Sequence, residues 1–227
     1  MSAVATAFAA GTDEARELAE DLRCIAWLHA TEHDSAAWLA LRGGGFPAEL
    51  RLGGGEAAAA MSRALDALAE ERTKEGTTCD DLLAADFAGI YLTHALRASP
   101  FESVWRDEDH LILQGPTFEV REFYKRYNYP TVDWRAMPDD HLVHELRFLA
   151  HLLDNGAQEA AADFLDRHLL QWLPDFAARV AQRADTATYA ALALLTMDVA
   201  TQLRDRIGGE RPAPAADSVR TARRCAP

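Results

Sequence analysis

Apolar residues recur along most of this chain with the period of an α-helix. In the first clear segment, Leu18, Leu22, Ile25 and Leu28 are spaced by three or four positions, which places them on one face of a helix. This pattern predicts a first helix over residues 12–30. Acidic residues in its first turn favour the same interpretation, because the helix dipole stabilises negative charge there.

Start and stop signals divide the next part of the chain into further helices. Asp34 is placed to cap a short second helix that ends near Arg42, and two glycine triplets then bracket a flexible connection. Thr78 and Asp81 fit a variant capping box that opens another helix. The helices predicted for this part cover 12–30, 34–42, 56–75 and 78–98.

Two proline-containing stretches, 99–116 and 128–137, interrupt the helical pattern and are predicted to be ordered loops. Thr117 is expected to cap the helix between them, and Pro138 to occupy the first turn of the helix that follows. Asn155 and Gly156 form a typical helix stop. The helices predicted for this part cover 117–127, 138–155, 157–171, 174–184 and 186–207.

These elements predict an all-α fold without convincing period-2 alternation. We expect a single globular bundle of about nine to eleven helices over 1–207. Its halves, about 12–98 and 117–207, would be joined by the ordered loops, and hinges there would permit a domain-swapped homodimer as well as a monomer. The tail 208–227 is rich in proline, alanine and arginine and is expected to be disordered.

Composition narrows the range of partners. The chain has 36 acidic and 23 basic residues, a formal charge of −13, which disfavours nucleic acids and anionic lipids. A basic partner, such as a peptide carrying arginines, would be attracted. The acidity also has a simpler interpretation, since net charge keeps a protein soluble.

The sequence predicts a cytoplasmic protein. No stretch approaches the roughly 20 apolar residues of a membrane-spanning helix, and the N-terminus lacks the basic region of a secretory signal. The three cysteines are far apart and form no CxxC motif, so neither a zinc knuckle nor a disulfide framework is predicted. Cys24 and Cys79 lie in apolar helical patterns and are interpreted as core residues.

The segment Asp139–Glu145 holds the densest group of polar residues that could carry chemistry. A metal- or haem-dependent helical enzyme would use His141, His144, Glu145 and His151. However, the order His-x-x-His-Glu does not match a zincin, and no histidine has a glutamate three positions before it, as a di-iron bundle requires. The enzyme therefore stays an alternative, and the favoured prediction is a protein with neither catalytic residues nor cofactor.

Four motifs resemble a known family. They read DFAGIYL at 86–92, SPFESVW at 99–105, GPTFEVREFYKRYNY at 115–129 and PDDHLVHELRFLAHLL at 138–153. In this order and spacing the chain resembles the TorD/DmsD/NarJ family of redox-enzyme maturation chaperones. The resemblance is clear over about 78–156.

The resemblance implies a function. Members of the family bind the twin-arginine signal peptide of a molybdopterin-containing catalytic subunit, and often the subunit itself. They hold it in the cytoplasm until its cofactor is inserted, without catalysing the insertion. In the DmsD-like branch, the positions of Phe87, Ile90, Tyr91, Asp140 and His141 contribute to peptide binding.

The residue chemistry suits such a ligand, because arginines prefer carboxylates and an apolar stretch needs an apolar groove. The carboxylates are predicted to be Asp139, Asp140 and Glu145, with His141 beside them. The apolar side chains are predicted to be Phe87, Ile90, Tyr91, Phe101, Val104 and Trp105. A competing interpretation is that the aromatic residues pack in the core. For the carboxylates, the competing interpretation is that they lie in solvent at the start of a helix.

Overall fold

The computed structural model describes residues 12–74, 76, 78–130 and 137–208. The helices in chain order are α1 (Asp13–Ala30), α2 (Ser35–Gly43), α3 (Glu56–Arg72), α4 (Cys79–Phe87), α5 (Glu102–Arg106), α6 (Gly115–Arg126), α7 (Leu142–Asp154), α8 (Gln158–Phe164), α9 (Leu170–Arg183) and α10 (Ala187–Ile207). One π-helical segment, Ala88–Leu92, continues α4, and a second, Leu165–Leu169, joins α8 to α9. The described ranges contain no β-strand, so the all-α prediction is confirmed.

Side-chain caps fix the starts of several helices. Thr12 Oγ1 accepts a hydrogen bond from the Ala15 N–H at 3.1 Å, and Asp34 accepts one from the Ala37 N–H at 2.8 Å. Thr186 caps α10 in the same way. Such caps satisfy amide groups that have no partner inside the helix, which explains why the starts of α1 and α2 were predictable from sequence.

The core is built by helices that are distant in sequence. α1 packs most extensively against α7, and α10 packs against α9 and α3. The apolar stripe predicted for α1 is completely or almost completely buried, with Leu22, Ile25 and Leu28 inaccessible to solvent. The first and last thirds of the chain therefore contribute to one continuous core.

Several predicted boundaries are wrong in detail. Thr78 precedes α4 but makes no capping hydrogen bond, and the helix predicted to reach residue 98 ends, with its π-helical segment, at Leu92. α6 begins before Thr117, because Pro116 fits the first turn, where its missing N–H needs no partner. His141 rather than Pro138 starts α7, since its Nδ1 accepts the Val143 N–H at 3.1 Å.

The C-terminal helices are also more continuous than predicted. A single helical run covers 158–183. Pro174 lies within α9, and the π-helical segment comes just before α9. Proline inside a helix removes one hydrogen bond and displaces the preceding turn, and a π-helical segment is a common local adjustment. The predicted disordered tail lies outside the described residues apart from Gly208. No helix in the described ranges combines the length and apolar character needed to cross a bilayer.

Candidate functional site

Two of the four motifs are joined by hydrogen bonds. The Leu142 N–H donates to the Pro100 carbonyl at 2.8 Å, and the Glu102 N–H donates to the Asp140 carbonyl at 3.0 Å. The Asp140 carboxylate accepts the Ser103 N–H at 2.8 Å. The segment before α5 is thereby fixed to the start of α7, although the Ser103 and Asp140 partners are 37 positions apart in sequence.

Asp139 is also occupied by neighbours within the chain. Its carboxylate accepts a hydrogen bond from Arg121 Nε at 2.6 Å, and its carbonyl accepts the Tyr124 hydroxyl at 2.8 Å. Both partners lie on α6, the helix of the third motif. Three of the four motifs therefore meet, and we call the contact between residues 99–106 and 139–145 the motif junction.

A polar cluster lies beneath this junction. Glu102 is completely buried. Each of its two carboxylate oxygens lies 3.1 Å from His168 Nδ1, and the carboxylate also pairs with Arg106. Glu145 is equally buried and accepts a hydrogen bond from Trp172 Nε1 at 3.3 Å.

Glu145 is the carboxyl group most perturbed by this environment. Burial raises its pKa well above the usual range, and the carboxylates of Glu102 and Asp140 raise it further. Burial likewise raises the pKa of Asp140, against the hydrogen bonds from Ser103. Both side chains are thus held in an environment that disfavours negative charge.

The apolar candidates divide into a buried and a partly exposed set. Phe87 and Ile90 are buried in the core, and Phe101 is buried against the His141 ring. Tyr91 is partly buried and its hydroxyl is hydrogen-bonded to His29 Nδ1. Burial lowers the pKa of His29 to about 3, so this contact is made by a neutral imidazole at neutral pH.

Val104 and Trp105, on α5, are partly exposed. Trp105 Nε1 donates to the Ser99 carbonyl at 2.7 Å, and the Arg179 guanidinium lies 5.6 Å from the centre of its ring. These contacts fix the orientation of a ring that packs against the core and stays partly exposed. Such amphipathic rings are common at interfaces.

The ten candidate residues do not all share an exposed surface. The seven that are buried are Phe87, Ile90, Phe101, Asp139, Asp140, His141 and Glu145. The competing interpretation of the carboxylates, a solvated helix start, is wrong, because all three are buried and their hydrogen bonds are made to backbone and side chains of this chain. A role of these residues in peptide binding stays a prediction.

Three of the four residues of the enzyme alternative have different hydrogen-bond partners, and the His144 ring lies edge-on to the His141 ring. His151 Nε2 donates to the Tyr127 carbonyl at 3.1 Å, whereas His141 Nδ1 caps α7 and Glu145 contacts Trp172. Across the described ranges no three histidine, cysteine, aspartate or glutamate residues are arranged to hold a metal ion.

Sequence reasoning missed Glu102, Ser103, His168 and Trp172 as members of the motif junction or of the cluster beneath it. Glu102 and Ser103 stand within the second motif, and this was the available signal. His168 and Trp172 lie outside the motifs, near the second π-helical segment, and had no such signal.

An apolar pocket lies away from the motif junction, between α1, α2 and the connection after α2. Its volume is about 530 Å³. It is lined by Cys24, Trp27, Ala37, Ala40, Leu41, Gly44, Phe46, Glu49 and Leu50. Cys24 is thus a partly exposed pocket residue, whereas Cys79 is buried as predicted.

Comparisons with known proteins add an independent observation. A family model described as nitrate reductase delta subunit matches residues 54–178, a range that includes all four motifs. The chaperone protein TorD of Vibrio cholerae serotype O1 (strain ATCC 39541) is 35% identical over 128 residues, which cover 51% of this chain and 57% of that protein.

Other relatives carry the same name. TorD of a Shewanella species (strain ANA-3) is 29% identical over 136 residues, covering 56% of this chain and 65% of that protein. TorD of Photobacterium profundum is 28% identical over 171 residues, covering 70% of this chain and 75% of that protein. The chain thus spans between half and two thirds of the length of the Vibrio and Shewanella relatives.

Proposed function

Because the chain belongs to the nitrate reductase delta subunit family, which includes the TorD-like proteins, we propose that it is a system-specific chaperone and not an enzyme. Its client would be the catalytic subunit of a molybdopterin-containing oxidoreductase, bound in the cytoplasm through its twin-arginine signal peptide, its apo form, or both. The observation that carries this proposal is the family match over 54–178, supported by relatives named chaperone protein TorD.

The chemistry of the chain supports a cationic client. Its formal charge of −13 would attract a peptide with adjacent arginines and repel nucleic acids. Of the predicted binding residues, Tyr91, Val104 and Trp105 keep accessible surface for such a peptide. The buried carboxylates of the motif junction would then act indirectly, by holding α5 and its Trp105 in place.

The proposal is tested by calorimetric titration of the full chain with synthetic twin-arginine signal peptides encoded near its gene. A matched peptide in which both arginines are replaced by glutamine is the control. We expect saturable binding of the first peptide and clearly weaker binding of the second. A folded protein that binds none of the twin-arginine peptides would contradict the proposal.

Within this function, Trp105→Ala is expected to lower peptide affinity while the far-ultraviolet circular dichroism stays unchanged. Truncating an aromatic contact at an interface commonly costs about 1–2 kcal/mol, or about a tenfold loss of affinity. Trp27→Ala, which removes an exposed ring on α1, serves as a comparison. Unchanged affinity in Trp105→Ala would remove this tryptophan from the binding site.

A further inference from the structure

The segment between α5 and α6 exposes an unusual amount of apolar surface. Leu111, Ile112 and Leu113 are 55%, 46% and 37% exposed, and Phe118 in the first turns of α6 is 52% exposed. These are four of the seven large apolar side chains that the described part of the chain leaves exposed. Single exposed leucines are common, but such a group within a short segment is typical of an interaction surface.

The backbone holds these side chains outward. His110 and Leu113, which bracket Leu111 and Ile112, have φ angles of +53° and +61°. Residues with a side chain rarely adopt this left-handed conformation, because Cβ approaches the carbonyl oxygen. His110 is held in it by a 2.8 Å hydrogen bond from Nδ1 to the Val104 carbonyl.

Acidic residues flank the apolar group on both sides. Glu108 and Asp109 precede it, and Glu119 follows Phe118 on α6. All three are exposed, and none forms an ion pair with a basic side chain among the described residues. We call this surface the acidic apolar patch: Glu108, Asp109, Leu111, Ile112, Leu113, Phe118 and Glu119.

We propose that the acidic apolar patch is the docking surface for the client, and that its occupant is a peptide segment in which basic residues adjoin an apolar stretch. The inference rests on the proposed function and deepens it, because it adds to the partly exposed residues of α5 a larger surface that would make the main contact. Charge complementarity decides the occupant: the apolar side chains need an apolar partner, and the unpaired carboxylates need cations beside it.

The patch is physically connected to the partly exposed residues of α5. The His110–Val104 hydrogen bond ties its backbone to the helix that carries Trp105. α5 is in turn fixed to α7 through Asp140 and Ser103. The buried carboxylates of the motif junction would therefore position the patch and α5 rather than touch the client.

The experiment uses the full chain and, as the probe, a synthetic peptide in which two adjacent arginines precede an apolar stretch. Leu111→Ser/Ile112→Ser/Phe118→Ser removes the apolar part, and Glu108→Gln/Asp109→Asn/Glu119→Gln removes the charge. Trp27→Ser/Leu82→Ser is the matched control, because these apolar side chains are 43% and 42% exposed outside the patch. Circular dichroism verifies that each variant is folded.

We expect the apolar variant to lose about tenfold or more in affinity, since exposed anchors at an interface carry much of the binding energy. The charge variant is expected to associate more slowly and with a weaker salt dependence than the unmodified chain. The control should bind within about twofold of the unmodified chain.

Three results would overturn the inference. If the unmodified chain binds the peptide and the apolar variant binds equally well, the function stands and the patch is refuted. If the unmodified chain binds no such peptide, the proposed function fails and the inference fails with it. If sedimentation shows a dimer that only the apolar variant dissociates, the occupant is a second copy of this chain.

Discussion

At the scale of single residues, Asp140 illustrates why a motif residue need not touch a ligand. It is completely buried, and its carboxylate and carbonyl satisfy the backbone N–H groups of Ser103 and Glu102. A buried amide that loses its acceptor costs free energy, because water cannot replace the partner. The sequence motifs place Asp140 and Trp105 in the same functional region, and the structure relates them through this backbone contact.

We therefore expect Asp140→Ala to destabilise the fold by about 2–4 kcal/mol in urea denaturation. Asp140→Asn should cost less, since an amide oxygen can still accept the Ser103 N–H. The exposed Asp175→Ala, expected to change stability by no more than about 0.5 kcal/mol, is the control. If Asp140→Ala is as stable as the unmodified chain but binds the peptide more weakly, the carboxylate contacts the ligand instead.

Glu145 leads to a prediction about pH. Its folded-state pKa is raised by burial, while its ordinary value is 4.5, so the native state retains a proton that the unfolded chain releases. Stability from this group is complete below pH 4.5 and is lost as the pH rises toward the folded pKa, by about 1.4 kcal/mol per pH unit.

Glu145→Gln keeps the shape of the side chain and remains neutral. We expect its stability relative to the unmodified chain to increase as the pH rises from the ordinary value of 4.5 toward the folded-state pKa, because only the unmodified chain must ionise or retain a proton there. Urea midpoints measured across this range test the expectation, with the exposed Glu70→Gln as control. A stability difference that does not vary with pH would contradict a raised pKa at Glu145.

At the scale of elements, the first motif contains a clamp between helices. Asp86, in the last turn of α4, accepts hydrogen bonds from the Asp185 N–H at 2.9 Å, the Thr186 N–H at 2.8 Å and the Thr186 hydroxyl at 2.6 Å. Thr186 is also the cap of α10. One carboxylate thus fixes the end of α4 to the start of α10.

Removing this clamp should loosen the two helices together. We expect Asp86→Ala to lower the free energy of unfolding by about 2–4 kcal/mol and to accelerate hydrogen exchange at the first amides of α10. The neighbouring, exposed Asp81→Ala is the control, with a change near 0.5 kcal/mol or below. Unchanged exchange in α10 would mean that α4 contributes little to its start.

The helices also show which parts of the fold were predictable from the sequence. α1, α2 and α3 were predictable from local signals, namely the apolar period and cap of α1, the cap and following glycines of α2, and the alanine-rich sequence of α3. α5 was assigned to a loop because its five residues are too few to show a helical period, and it is held by contacts to α6 and α9. The π-helical segments have no local signal of comparable strength.

The candidate site was less predictable than the elements. A helical period does not say whether Asp139, Asp140 and Glu145 face water or another segment of the chain. Asp140 is paired with Glu102 and Ser103, Asp139 with Arg121, and Glu145 with Trp172, all of which are contacts between distant parts of the sequence. The exposure of Leu111–Leu113 is likewise set by the left-handed backbone at His110 and Leu113, which the residue types at those positions do not indicate.

At the scale of the whole molecule, the two predicted halves share one core. α1, in the N-terminal half, packs against α7, and α3 packs against α10. The buried side chains of α1 and α3, such as Leu22 and Met61, belong to the same apolar cluster as those of the C-terminal helices. Neither half would bury its apolar faces without the other.

This arrangement predicts that the fragment 12–98 does not fold alone. Separated from α7 and α10, its helices would expose apolar stripes, and isolated helices of this length are marginal in water. We expect low helicity and no cooperative thermal transition by circular dichroism, whereas the full chain should unfold cooperatively. The matching fragment 99–208 serves as the second arm, and mixing the two should restore helicity. A fragment 12–98 that unfolds cooperatively by itself would make the halves separate domains.

Exchange of halves through the loops 99–116 and 128–137 would then need no rebuilding of the core, and a swapped dimer would follow from the hinges alone.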